Sequence, residues 1–150
     1  MTNTLLASAF PPLLFALAIF FEISYHISPF IFFLKIMNNL ELERLLNEKL
    51  STDKINDYAP NGLQVEGKAK IKKIITGVTA SQALIDYAVA QQADAVLVHH
   101  GYFWKSENPC IRGMKGKRIK TLLVNDINLY GYHLPLDVHP ELGNNAKLAQ

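Results

Sequence analysis

The fold class is decided by residues 71–100, which read IKKIITGVTASQALIDYAVAQQADAVLVHH. Residues 71–78 form a β-branched run that predicts a strand. Residues 93–98 form an apolar run typical of a strand buried on both faces of a parallel sheet. The apolar residues between them have helical spacing, and we expect Thr79 and Gln82 to open this helix as a capping box. The stretch therefore predicts strand, helix and strand in succession.

The same alternation continues toward the C-terminus. Residues 119–123 have a helical pattern and residues 129–133 read as a third strand. A βαβαβ order predicts an α/β domain with a parallel-sheet layer and flanking helices. Three parallel strands alone would leave an uncovered edge, although residues 63–65 predict one more short strand. Because residues 141–150 read as a helix that has just begun, we expect the domain to be incomplete at its C-terminus.

Toward the N-terminus, one more helix is predicted. Either Asn38 or Asn39 is expected to cap it, since an asparagine side chain accepts hydrogen bonds from the first free backbone N–H groups. The apolar residues of this helix fall on one face, at Leu42, Leu45, Leu46 and Leu50.

The first 36 residues differ in composition from the rest. They hold seven of the eight Phe, none of the eight Gly and only two charged residues. Residues 13–36 are long enough to span a bilayer, but Glu22 is costly at that depth. A membrane anchor, a cleaved targeting signal and a misassigned start with Met37 as initiator are the alternatives. We expect the last, so that 1–36 is an apolar extension and 37–150 is the domain.

The whole-chain averages exclude several protein classes. With 15 Lys and Arg against 13 Asp and Glu, the net charge of +2 excludes a histone-like polycation and an acidic tail. It neither requires nor excludes nucleic acid as a partner. The single cysteine, Cys110, excludes a module stapled by internal disulfides. The sequence contains no P-loop, G-x-G-x-x-G, G-x-S-x-G or HExxH motif.

The candidate site lies where two predicted strands end. His99 and His100 follow one strand directly, and Asp137 follows the next. Ligands bind open parallel sheets at the carboxyl ends of the strands, so we expect these three residues to converge. Imidazole suits Zn, Fe, Ni or Mn ions, and a carboxylate can bind or bridge them. His133 could support a ligand but is interpreted as structural, and His139 as a local cap or an exposed residue.

Other candidates are less specific. The basic residues between 105 and 120 could attract phosphate or nucleic acid, but we interpret them as a solvated face. Phe103 and Trp104 could stack on a base, although packing on the domain or on another subunit is the expectation. No base stands beside Cys110 in the sequence, so we do not expect a catalytic thiol.

Five segments carry a resemblance to a known family. They are DYAPNGLQVEG (57–67), ITGVTAS (75–81), ADAVLVHHGYFWK (93–105), IRGMKG (111–116) and NLYGYHLPLDVHPELGNN (128–145). Over residues 37–150 the chain resembles the N-terminal portion of the GTP cyclohydrolase I type 2 homologue family, in its YbgI-like bacterial branch. The family begins at a position matching Met37, in line with the misassigned start.

The resemblance implies an α/β protein that binds two divalent metal ions in one site. Its ligand pair falls on His99 and His100, and its Asp falls on Asp137. The family's remaining ligands, a His and a Glu four residues apart, have no counterpart here, because the sequence ends at roughly half the family's length. The resemblance also implies a ring-shaped homohexamer with its metal ions facing an internal cavity. We expect this truncated chain to be inactive or unstable alone.

For function, the resemblance implies a metal-dependent hydrolase that acts on a small, nucleotide-like substrate in the cytoplasm, without a membrane partner. The alternative is a metal-binding scaffold or regulatory protein that catalyses no reaction. The sequence assigns no catalytic residue beyond the three candidate metal ligands.

Overall fold

The computed structural model describes residues 24–28 and 31–149, which form six strands, five helices and one 3-10 turn. Asn39–Leu50 is followed by a short 3-10 turn at Thr52–Lys54. The strands are β1 (Ser24–Ser28), β2 (Ile31–Asn38), β3 (Gly62–Val65), β4 (Lys70–Thr79), β5 (Ala95–His100) and β6 (Asn128–Gly131). The helices are α1 (Asn39–Leu50), α2 (Gln82–Ala90), α3 (Gly113–Val124), α4 (Leu134–Val138) and α5 (Asn144–Leu148).

The strands form one mixed sheet in the order β1-β2-β4-β5-β6-β3. Val96 of β5 is paired with Ile75 of β4 on one side and with Leu129 of β6 on the other, and both pairings are parallel. The predicted βαβαβ layer is therefore confirmed. Antiparallel strands flank it, since β2 pairs with β4 and β3 pairs with β6. The sequence predicted that three parallel strands would leave an uncovered edge. That prediction is wrong, because an antiparallel strand pairs with each side of the parallel layer.

Side chains cap the first turns of α1 and α2. Asn38 and Asn39 both accept a hydrogen bond from Leu40 N at 2.9 Å, so the predicted cap of α1 is confirmed. Helix α2 is capped by Ser81, whose hydroxyl accepts from Leu84 N at 3.2 Å, and the predicted cap at Thr79 is wrong. Thr79 still belongs to β4.

The third parallel strand is shorter than predicted. It ends at Gly131, and the short helix α4 follows with Pro135 in its first turn. Proline lacks a backbone N–H and has a fixed φ, so it suits the start of a helix and cannot extend a central strand. Asp137 therefore lies on helix α4. The sequence pattern had predicted only that it follows the end of a strand.

The sheet is covered on both faces. One face packs against α1 through Leu42 and Leu46, together with the buried Tyr130 of β6. The other packs against α2 and α3 through Ile85 and Leu122. Successive side chains of β5 alternate between these cores, which explains its uninterrupted apolar run.

The N-terminal extension is only partly described. Residues 1–23 lie outside the described part of the chain, so most of the candidate membrane span at 13–36 is untested. Among the described residues, no helix is long and apolar enough to cross a membrane. Strand β2 runs across position 36, and the division into an extension and a domain stays a prediction.

The Gln64 side chain of edge strand β3 bonds to the chain just beyond β5 and lies against Gly131 of β6. Gln64 Oε1 accepts from the backbone N–H of Tyr102 at 2.7 Å, and its Nε2 donates to Pro60 O at 2.8 Å. The amide lies where a Cβ on Gly101 or Gly131 would fall. A side chain at either glycine would therefore require the Gln64 amide to move.

Candidate metal centre

Three histidines meet at the carboxyl ends of β5 and β6. His99 and His100 are the last residues of β5, and His133 comes directly before α4. One ring nitrogen of each lies within 4.8 Å of those of the other two. Because Val98 is paired in parallel with Gly131, the two strands deliver their next residues to the same edge of the sheet.

One nitrogen of the His99 ring is committed to the backbone. Its Nδ1 lies 3.0 Å from the carbonyl oxygen of Tyr132, which can only accept, so Nδ1 carries the proton and donates. In the neutral ring the lone pair is then on Nε2. This atom lies 3.6 Å from Oδ1 of Asp137, and the two side chains are 13% and 26% exposed. An imidazole lone pair therefore faces a carboxylate.

This arrangement fits a bound cation. Two electron pairs that face each other repel unless a proton or a cation lies between them. Ligand atoms about 2.1 Å from one ion and at a tetrahedral angle lie ~3.4 Å apart, close to the separation of His99 and Asp137. Asn144 Nδ2 donates to the same Asp137 oxygen at 2.8 Å and holds the carboxylate in place.

His100 brings a second imidazole to the site. Its ring centroid is 4.3 Å from that of His99, and its Nδ1 lies 3.4 Å from the Thr79 hydroxyl oxygen. Burial lowers the pKa of His100, the neighbouring His99 and His133 lower it further, and Asp137 acts in the opposite direction. A lowered pKa favours the neutral ring, which is the form that binds metal ions.

His133 is held by Asp57, a residue that the sequence reasoning missed. His133 Nδ1 lies 3.0 Å from Asp57 Oδ1. The carboxylate also accepts from the Asn61 amide and from the backbone N–H groups of Leu134 and Ala59. Burial raises the pKa of Asp57, but the hydrogen bonds from these four residues outweigh it and lower the pKa to about 2. Asp57 is thus an ionised acceptor whose side chain is only 3% exposed.

Two aromatic rings border the His133 side of the cluster. Trp104 stands edge-on to His133 with ring centroids 4.9 Å apart, and Tyr58 does so at 5.1 Å. Tyr58 is 54% exposed. Phe103 instead packs against Tyr102 and under the Lys115 ammonium, as expected from packing on the domain. The neighbouring Phe103 and Trp104 therefore have different surroundings, and only Trp104 lies beside the histidines.

The remaining candidates lie outside the cluster. His139 Nδ1 accepts from the backbone N–H groups of Glu141 and Leu142, which confirms the predicted local cap. Cys110 is exposed and free. Four of the six basic residues between 105 and 120 are exposed, and Lys115 is paired with Glu107 at 3.1 Å. The structure therefore places this basic stretch mainly on the solvent side.

Comparison with known proteins relates residues 37–150 of the chain to one protein family. The family model for Duf34/NIF3 (NGG1p interacting factor 3) matches residues 37–150. A curated relative from Haemophilus influenzae, named GTP cyclohydrolase 1 type 2 homolog, is 87% identical over 114 residues. That match covers 76% of this chain and 45% of the relative. The chain thus spans about half the length of the curated relatives it matches.

Solved structures are similar over the same region. A structure of the protein ybgI, described as of unknown function, is 73% identical with a TM-score of 0.74. The alignment covers 75% of this chain and 46% of that one. The crystal structure of TTHA1606 from Thermus thermophilus is 44% identical with a TM-score of 0.70, covering 75% and 47% of the two chains.

Proposed function

The chain belongs to the Duf34/NIF3 family, and we propose that it binds divalent metal ions through His99, His100 and Asp137. The observation that carries this proposal is the facing pair of His99 Nε2 and Asp137 Oδ1, 3.6 Å apart, with His99 Nδ1 already donating to the backbone. Two imidazoles and a carboxylate suit Zn, Fe, Mn or Ni ions. Two ions in one site remain part of the proposal.

We further propose that the complete protein is a metal-dependent hydrolase of a small, nucleotide-like substrate. The support is the name of the curated relatives, GTP cyclohydrolase 1 type 2 homolog, together with the donor set described above. Bound divalent ions lower the pKa of water and polarise an oxygen of the substrate. Tyr132 O fixes the His99 tautomer, and Asn144 orients Asp137 for this task. A homohexameric ring in the cytoplasm is proposed with it.

Metal content tests the binding proposal. The chain, incubated with Zn²⁺, Mn²⁺, Fe²⁺ or Ni²⁺ in turn and then desalted, should retain at least one of these ions when its metal content is measured by mass spectrometry. His99→Ala and Asp137→Ala should lose the retained ion. His139→Ala is the matched control, because this histidine caps a turn outside the cluster. The proposal would be contradicted if the unaltered chain and the three variants retained the same amount of metal.

The reaction needs a separate test on a complete family member. The metal-loaded Haemophilus influenzae relative, 87% identical over the shared region, should hydrolyse at least one member of a panel of nucleotides and phosphoesters. Turnover should disappear when its counterpart of His99 is replaced by Ala. Metal binding without turnover of any panel member would contradict the hydrolase and favour a binding scaffold.

A further inference from the structure

The loop before β3 and His133, two residues after β6, form a second unit beside the candidate ligands. Asp57 contacts His133 across 76 positions of sequence. The backbone N–H of His133 also donates to Asn61 Oδ1 at 2.7 Å. Both the backbone and the ring of His133 are therefore fixed by one loop, and the residue is 7% exposed.

The hydrogen bonds decide which ring nitrogen carries the proton. Asp57 is surrounded by donors, since Asn61, Leu134 and Ala59 each supply an N–H to its oxygens. An ionised carboxylate has no proton to give. His133 Nδ1 is then the donor to Asp57, and in the neutral tautomer Nε2 is the nitrogen that can accept.

The ring is also held in place on its faces and edges. Trp104 and Tyr58 stand nearly perpendicular to it, at 80° and 71°. His99 and His100 lie on the cluster side, with ring centroids 5.0 and 5.8 Å from that of His133. A rotation of the ring would break the bond to Asp57 and collide with these neighbours, so the acceptor nitrogen has a fixed position beside the proposed metal ligands.

We propose that Asp57 and His133 form a positioning dyad in which His133 Nε2 accepts a hydrogen bond from an O–H group, of water or of a substrate hydroxyl, bound at the site. This rests on the proposed function for the ligand, whereas the tautomer of His133 does not depend on it. The dyad adds a hydrogen-bond acceptor to the site. An anionic oxygen next to Nε2 would be disfavoured, because both groups would present lone pairs.

The first test is the tautomer, measured without metal. Long-range ¹H–¹⁵N NMR spectra, recorded at a pH at which the His133 ring is neutral, should show Nδ1 protonated and Nε2 unprotonated, the signals being assigned by their loss in His133→Gln. Asp57→Ala removes the acceptor that faces His133 Nδ1. We therefore expect a mixed tautomer in that variant, with no change in Asp53→Ala, which alters an exposed carboxylate on the 3-10 turn.

The second test separates an acceptor from a metal ligand. On addition of Zn²⁺, the Nε2 signal of His99 should move far, and that of His133 by only a fraction of that change. Zn²⁺ affinity of His133→Gln should stay within about threefold of the unaltered chain, whereas His99→Ala should lose about 100-fold. A His133 shift or affinity loss as large as that of His99 would make His133 a ligand and overturn the dyad.

The proposed metal site and the proposed dyad are refuted by different results. Absence of any Zn²⁺ effect on His99 would refute the metal site while leaving the tautomer result intact. An unprotonated Nδ1 on His133 in the unaltered chain, or a tautomer unchanged in a folded Asp57→Ala, would refute the dyad whatever the metal does. Circular dichroism spectra of each variant show whether it is folded.

Discussion

Two polar networks lie at opposite ends of the same parallel strands, and they differ in how completely their hydrogen bonds are satisfied. At the amino ends, Asn128 is fully buried. Its amide donates to Lys68 O and Asp94 O, and its oxygen accepts from Gly67 N and the Asn39 amide. Every hydrogen-bonding position of the Asn128 side chain is used within the chain.

At the carboxyl ends, not every side-chain nitrogen has a hydrogen-bond partner among the described residues. His99 Nε2 faces the Asp137 carboxylate at 3.6 Å. Asp57 pairs with Nδ1 of His133, so Nε2 of that ring is not part of this hydrogen bond. The amino-end network is thus satisfied within the chain and serves stability, whereas we propose that the carboxyl-end network binds a ligand.

The largest effect is expected at the amino end. Asn128→Ala should lower the free energy of unfolding by about 4 kcal/mol, because it removes four hydrogen bonds and leaves buried backbone groups unpaired. Urea unfolding followed by circular dichroism measures this. Asn125→Ala, an exposed residue just beyond α3, should change the value by no more than about 0.5 kcal/mol. A loss below about 1 kcal/mol for Asn128→Ala would show that the closed network contributes little.

At the carboxyl end, a ligand should supply what the chain lacks. Zn²⁺ at about 100 times its Kd should raise the free energy of unfolding by about 2.7 kcal/mol, because it binds the folded state only. His99→Ala should abolish this gain, whereas the destabilised Asn128→Ala should keep it. Unfolding curves with and without Zn²⁺ measure both. Loss of the Zn²⁺ gain in Asn128→Ala would mean that the two networks are not independent.

Acid should weaken the carboxyl-end network in a defined range of pH. Asp57 has a folded-state pKa of about 2 against a reference of 3.8. The folded pKa is the lower one, so the stabilisation is present above about pH 4 and is lost as pH falls toward 2. The shift corresponds to about 2 kcal/mol. Urea unfolding across this range should show a shallower pH dependence in Asp57→Asn and an unchanged one in Asp53→Asn.

The smallest effect is expected for an ion pair at the rim of the amino-end network. Lys68 Nζ lies 2.9 Å from Asp94, but its side chain is 41% exposed. Lys68→Met should cost at most about 1 kcal/mol, and the difference should shrink at about 1 M salt. Asp94 keeps hydrogen bonds from the backbone N–H groups of Lys72 and Lys73. A larger, salt-independent loss would place Lys68 within the closed network.

Local pattern was enough to predict the central layer. Strands β4, β5 and β6 and helix α2 are visible in the sequence because each has its own run of apolar residues with the matching period. The family resemblance over 37–150 is confirmed by the matching family model. The antiparallel pairing of β3 with β6 joins Gly62 to Gly131, and no local period signals a partner so distant in sequence.

In the candidate site, too, some residues could be predicted from local pattern and others could not. His99, His100 and Asp137 could be placed near one another from the rule that ligands gather at strand ends. Asp57 could not, because it lies in an irregular loop and acts on a residue 76 positions away. The segment DYAPNGLQVEG begins with this residue, so a signal was present in the sequence, but its role depends on tertiary contacts.

The docking of Gln64 over Gly101 and Gly131 bears on the order in which the molecule assembles. Ile74 pairs with Ala95, and Ala95 with Asn128, across short spans of chain, so these contacts close with little loss of chain entropy. Strand β3 pairs Gly62 with Gly131 across 69 residues, about twice the span between Ala95 and Asn128. We therefore expect β3, with the loop that carries Asp57, to fold after the parallel core, so that His133 becomes fixed only as folding nears completion.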